Sequence, residues 1–325
     1  MEGGFIMGKW SYTKGLHDLG GGIYAYLQPD GSWGWSNAGL VVDGGASLLV
    51  DTLFDLELTK EMLAEMRKAT GAAASIDILV NTHANGDHCY GNELVKGAEI
   101  IASRACAEEM GHSPAQMLAQ LNLAAPGMGE VGTYFLKCFG KFNFEGIAPT
   151  PPTRTFEGSL SLKVGAKEVR LIEVGPAHTR GDILVHIPEN GTVFAGDILF
   201  IGGTPIMWTG PVANWINACN VILEMDAETI IPGHGPITDK NGVSAVKGYF
   251  EHLQAEARRR YDAGMPAAEA ARDIDLSSYR SWTDAERIVV NIDTLYREFS
   301  GDRSPANALD LFTAMAAFAK SIEGG

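Results

Sequence analysis

Thr82-His83-Ala84-Asn85-Gly86-Asp87-His88 is the stretch on which the reading of this chain turns. Residues 76–80 before it are a short apolar run with the length of a buried strand, so the stretch reads as a turn at a strand end. Three further turns repeat the pattern. Ala177-His178-Thr179-Arg180-Gly181-Asp182 follows an expected strand at 169–174, Ala195-Gly196-Asp197 closes one at 193–195, and Pro232-Gly233-His234-Gly235-Pro236 follows one at 229–231. Four of the eight histidines stand in these turns. Glycine or proline lies near each, which lets the backbone bend sharply and aim imidazoles at a common point. Imidazole with carboxylate suits zinc, and also iron or manganese.

Outward from these turns the chain reads as two similar halves, 23–100 and 160–235. Residues 40–42 and 47–50 flank Asp43-Gly44-Gly45, a hairpin signal. A helix is expected over 57–69, with Leu58, Met62, Leu63 and Met66 on one face, and another over 212–224. Each half gives hairpin strands followed by helices. Two sheets packed face to face with helices outside is the layered solution for such an α/β chain. Residues 103–157, rich in Met, Phe, Gly and Pro, interrupt the rhythm as an inserted lid or a packed excursion. From about 243 the chain is mostly helical, with a stripe over 309–321. The expected organisation is one domain over 1–240 and a C-terminal helical extension over 241–325, which either packs on the sandwich or makes a homodimer contact.

Composition excludes several classes. With 25 basic and 40 acidic residues the net charge is −15, so a nucleic-acid partner is not expected. There is no uncharged apolar run of about 18 residues, hence no membrane partner is expected, and the first five residues do not begin a secretory signal. Cys89, Cys106, Cys138 and Cys219 lack CxxC spacing and read as reduced thiols of a cytoplasmic protein. His17, His112, His186 and His252 lie outside the motifs and read as surface or core residues.

The order of the four turns resembles the metallo-β-lactamase superfamily, whose signature is HxHxDH, then His, Asp and His; the resemblance covers about residues 20–237. It implies a four-layer αββα sandwich with metals at one sheet edge, and a metal-dependent hydrolase. Carried over by position, His83, His178 and residue 85 would form a first metal site, Asp87, His88 and His234 a second, and Asp197 would bridge them. Asp51, in Leu49-Val50-Asp51-Thr52, would support the ligands, and Asp182 or Thr82 would orient imidazoles. Position 85, histidine in the family signature, is Asn85 here. An amide oxygen is a poorer ligand for a borderline metal. The expectation is therefore one tightly held Zn2+, with iron or manganese as other candidates, and a weakened first site. Metal-bound hydroxide would attack an ester, lactone or amide-like bond in a small hydrophobic substrate. Asp87, His83 and His178 are the catalytic candidates, the two imidazoles as proton carriers. Displacement at an activated carbon, as in a dehalogenase, and di-iron redox chemistry on the same fold are the rival activities. Asp197 in place of cysteine argues against a dedicated antibiotic hydrolase. Trp33, Trp35, Phe135, Phe139, Phe142, Met207, Trp208 and Trp215 are candidates for an apolar pocket wall.

Overall fold

The computed structural model describes residues 10–111, 115–304 and 306–323. The first five residues and His112, both noted above, lie outside them.

Among the described residues twelve strands form two sheets. The first holds seven in chain order: β1 (Gly15–Gly20), β2 (Ile23–Leu27), β3 (Ala38–Asp43), β4 (Ala46–Val50), β5 (Ile78–Val80), β6 (Glu99–Ser103) and β7 (Arg154–Phe156). The second holds β8 (Ser159–Val164), β9 (Lys167–Glu173), β10 (Ile183–Ile187), β11 (Thr192–Phe194) and β12 (Thr229–Ile231), ordered 12-11-10-9-8. The β3–β4 hairpin turns on Gly44 and Gly45, at φ 54° and 91°. Both values are disfavoured for side chains with a Cβ, so the pair of glycines makes this tight turn and sets the Asp43–Ala46 register.

The described residues also form ten α-helices: α1 (Leu56–Ala69), α2 (Gly86–Cys89), α3 (Arg104–Met110), α4 (Ala115–Ala124), α5 (Gly129–Phe139), α6 (Val212–Glu224), α7 (Lys240–Asp262), α8 (Ala267–Asp273), α9 (Ile288–Ser300) and α10 (Ala308–Glu323). Alternate residues of each strand face opposite ways, which separates three cores. Between the sheets, Ile23, Val41, Val50 and Ile101 meet Leu171, Val185 and Phe194. On the outer face of the first sheet, Leu40, Leu49 and Leu79 meet Met62, Leu63 and Met66 of α1. On the outer face of the second, Leu184, Val193 and Ile230 meet Trp215 and Ile222 of α6 and Phe250 and Leu253 of α7. This is the αββα sandwich with C-terminal helices. Helix α9 and helix α10 continue that third core through Ile288, Leu295 and Met315, and α5 joins it through Tyr134 and Phe135.

Strands β4, β5, β6 and β7 run parallel, as do β11 and β12. Parallel neighbours need crossovers, supplied by α1 and α6, and they leave strand C-termini side by side. The turns carrying Asp51, residues 82–88, residues 195–197 and residues 232–234 follow β4, β5, β11 and β12. The topology thus brings distant turns to one edge, the usual place for a site in such sheets.

Candidate metal centre

Each imidazole is fixed by a bond at its outer nitrogen. Asp51 accepts from the Thr82 amide and hydroxyl, both at 2.7 Å, and from His88 Nδ1 at 2.9 Å. Because the Thr82 hydroxyl proton is given to Asp51, its oxygen accepts from His83 Nδ1 at 3.0 Å. His178 Nδ1 donates to the Ile206 carbonyl at 2.7 Å, and His234 Nδ1 to the Gly31 carbonyl at 3.1 Å. These outer partners set the tautomer, leaving Nε2 of all four rings with a lone pair.

The four lone pairs converge on one carboxylate. Asp197 lies 3.0 Å from His88 Nε2, 3.3 Å from His178 Nε2, 3.4 Å from His234 Nε2 and 3.7 Å from His83 Nε2. Asp87 Oδ2 is 3.3 Å from His234 Nε2 and 4.0 Å from His88 Nε2. All are buried. His83 Nε2, His88 Nε2 and Asp197 Oδ1 have no hydrogen-bond partner among the described residues. Lone pairs facing a carboxylate at such distances need a positive charge between them, and the donor atoms of His83, His88 and Asp197, and of Asp87, His88 and His234, cluster closely enough to share an ion. The donor set fits a metal.

Electrostatics tell the same story. Burial disfavours a charged His88, yet Asp197, Asp51 and Asp87 together raise it well above the ordinary imidazole range. His234 rises against burial to about 9 beside Asp197 and Asp87. Burial opposes ionisation of Asp197 too, but the four imidazoles hold it well below the usual carboxylate range. His83 and His178, where burial prevails, are lowered. Three buried carboxylates that raise His88 and His234 against burial amount to a site that demands cationic charge.

Each residue expected at the centre reaches it, Asn85 differently from the others. Its amide nitrogen lies 2.9 Å from His178 Nε2, where an N–H meets the ring's lone pair. Thr82 touches an imidazole directly. Asp182 does not: its carboxylate accepts from the Ala177 and Thr179 amides and the Thr179 hydroxyl, and so ties the turn bearing His178. Asp51 adopts a positive φ of 61°, which Asp tolerates better than most residues. Gly233 has no room for a side chain, since a Cβ there would sit 1.9 Å from Asp197 Oδ1.

The centre forms the floor of a cavity of about 590 Å³. Trp33, Phe135, Phe139 and Trp208 line it, as the sequence suggests, together with Leu121 of α4 and Phe312 of α10. Trp35, Phe142, Met207 and Trp215 do not line it. Trp35 packs on Phe142, and the Trp215 indole donates to the Ile198 carbonyl inside the core. Among the wall residues that escaped the sequence reading are Phe312, inside an ordinary amphipathic stripe, and Arg287, whose buried position no local pattern signals.

The model of the metallo-beta-lactamase superfamily matches residues 31–234. The chain belongs to that superfamily and is an enzyme of its hydrolase class. It is 22% identical over 200 residues to acyl-coenzyme A thioesterase MBLAC2 of Gallus gallus, covering 57% of this chain and 68% of the relative. It is 35% identical over 177 residues to the hydroxyacylglutathione hydrolase of Thermosynechococcus vestitus, covering 54% of this chain and 56% of the relative. A shorter match, 30% over 90 residues and 26% of each chain, is to 2,4-dinitroanisole O-demethylase subunit alpha of Nocardioides sp.. Among solved structures, the stereoselective inverting sec-alkylsulfatase Pisa1 from Pseudomonas sp. superposes with a TM-score of 0.64 at 15% identity, over 90% of this chain and 52% of that one. The last is a likeness of fold.

Proposed function

We propose that the protein is a zinc-dependent hydrolase of an ester, lactone or amide-like bond in a small hydrophobic molecule. One observation carries the reading: the convergent imidazoles and carboxylates are the floor of a cavity whose walls are mainly apolar and aromatic. Asp87, His88, Asp197 and His234 would hold one ion, and His83 and His178 would offer a second position beside Asp197. A divalent ion there lowers the pKa of water to about 7 and polarises a carbonyl oxygen. The chain's own residues do the rest. Phe135, Phe139 and Trp208 take the apolar body of the substrate and exclude water. Asp87, at the cavity surface, accepts a proton from the attacking water and can return it to the leaving group. His83 and His178 have Nδ1 committed to Thr82 and Ile206, so Nε2 is the nitrogen each would offer to an ion.

The test is a panel of short 4-nitrophenyl esters, aryl lactones and anilides, assayed before and after chelation and zinc add-back. Turnover of at least one class, abolished by chelation and restored by zinc, supports the proposal; a panel untouched by fully loaded protein refutes it. A second reading is displacement of a leaving group from an activated aromatic carbon. The ring-lined wall and the likeness to the O-demethylase subunit favour it, and release of methanol or halide from activated aryl substrates separates the two.

A further inference from the structure

Arg287 is 1% exposed yet belongs to the cavity wall. Its guanidinium lies 4.4 Å over the Trp33 ring and 5.3 Å from Phe200. One terminal nitrogen donates to the Thr204 carbonyl and the other sits 3.3 Å from the Asp284 carboxylate. Its Nε has no partner among the described residues, and neither does Nε1 of Trp33, another wall residue. An unmet buried donor is costly, so two on stacked wall residues of one cavity need an explanation. Both are donors, and no described residue accepts from them. What would satisfy the pair is an acceptor brought in by a ligand, and a guanidinium with an indole N–H suits an oxyanion.

The distance to the metal centre is short. Phe200 is in contact with both groups: the Arg287 guanidinium lies 5.3 Å from its centroid, and the ring stacks on His234 with centroids 5.0 Å apart at 2°. One aromatic residue therefore links the guanidinium to a candidate metal ligand. The walls between are aromatic: Trp33 meets Phe139, Trp208 and Phe312 at 5.6–6.3 Å. The carboxylates that share the cavity, Asp87 and Asp197, belong to the metal centre, and Glu109 lies on α3.

We propose that Arg287 and Trp33 form an oxyanion-binding subsite, and that the substrate is a small aromatic or apolar molecule carrying a carboxylate or similar anionic group about one ring away from the bond attacked. The inference deepens the hydrolase reading by naming the substrate class, but it is tested by binding, which does not require the reaction to be known.

The experiment measures calorimetric binding of phenylacetate and of neutral phenylacetamide to protein as purified. The expected result is at least tenfold tighter binding of the anion, reduced to twofold or less in Arg287→Met and partly retained in Arg287→Lys. Should Arg287→Met fail to fold, judged by circular dichroism, Trp33→Phe decides: it keeps an aromatic ring, removes the N–H, and should weaken the anion severalfold while leaving the amide within twofold. Equal affinities in the wild type overturn the subsite, as does an anion preference that both folded variants keep, because the metal centre alone would then hold the anion. Hydrolysis of neutral esters with no anion preference would sink this inference and leave the hydrolase reading standing. An intact anion subsite in a protein that hydrolyses nothing would do the reverse.

Discussion

Asp51 faces no part of the cavity, yet it links three parts of the centre: the Thr82 amide, the Thr82 hydroxyl and His88 Nδ1. Through Thr82 it also sets the tautomer of His83. Asp51→Asn keeps the size but replaces one acceptor by a donor. It should weaken metal binding about 10- to 100-fold, read by competition with a chromophoric chelator; an unchanged affinity would show that the imidazoles do not depend on this support. Asn85 makes the opposite prediction. Its N–H on His178 occupies the lone pair a metal would use, and its amide is a weak ligand. Asn85→His should raise metal content from about one ion per chain towards two, whereas equal content in wild type and variant would remove the argument that this position weakens the first site. At this scale the sequence was informative because ligand chemistry resides in residue types. Histidine and aspartate at glycine-bearing strand ends can be recognised without coordinates. Arg287 could not be, since an arginine two residues before a run of valines looks like any solvated helix start.

The turn between β9 and β10 shows how an element holds a ligand. Asp182 is buried, and burial pushes its carboxyl up to about 7 despite the bonds from Thr179. The folded protein therefore keeps a proton that the unfolded chain releases near pH 4. The stability this brings is complete below about pH 4 and is lost as pH rises to 7, at up to about 1.4 kcal/mol per pH unit. Urea denaturation should show wild-type stability falling from pH 4.5 to 7.5 relative to Asp182→Asn; parallel profiles would contradict it. Helix α10 is a second case. Met315 is fully buried among α5, α9 and the turn before α9. Met315→Ala should cost about 2–5 kcal/mol, measured by thermal or urea unfolding, and a loss below 0.5 kcal/mol would mean that α10 is not integral to the core. Elements were legible where period and punctuation agree. The expected spans 212–224 and 229–231 coincide with α6 and β12, and the hairpin follows its glycines. The strand over Glu99–Ser103, the short β7 and the three helices α3–α5 were not resolved from sequence. Three residues of strand carry almost no period, and the apolar positions of α4 and α5 face a cavity as well as a core, which blurs the stripe.

For the whole molecule, two sheets and their parallel crossovers gather groups spread from position 51 to position 234, and the C-terminal helices close the wall above them through Arg287 and Phe312. The sandwich was foreseeable from two similar halves. The contribution of the last helices to the cavity was not, because it depends on where they dock. The convergence of four fixed lone pairs on Asp197 is the claim on which the functional reading rests. Its direct test is metal content of freshly purified protein by elemental analysis, in the wild type and in Asp197→Ala. The account predicts about one ion per wild-type chain, nearly none in the variant, and a wild-type melting temperature that falls on chelation and recovers with zinc. A folded wild-type protein that carries no metal and gains no thermal stability when zinc is added would contradict it.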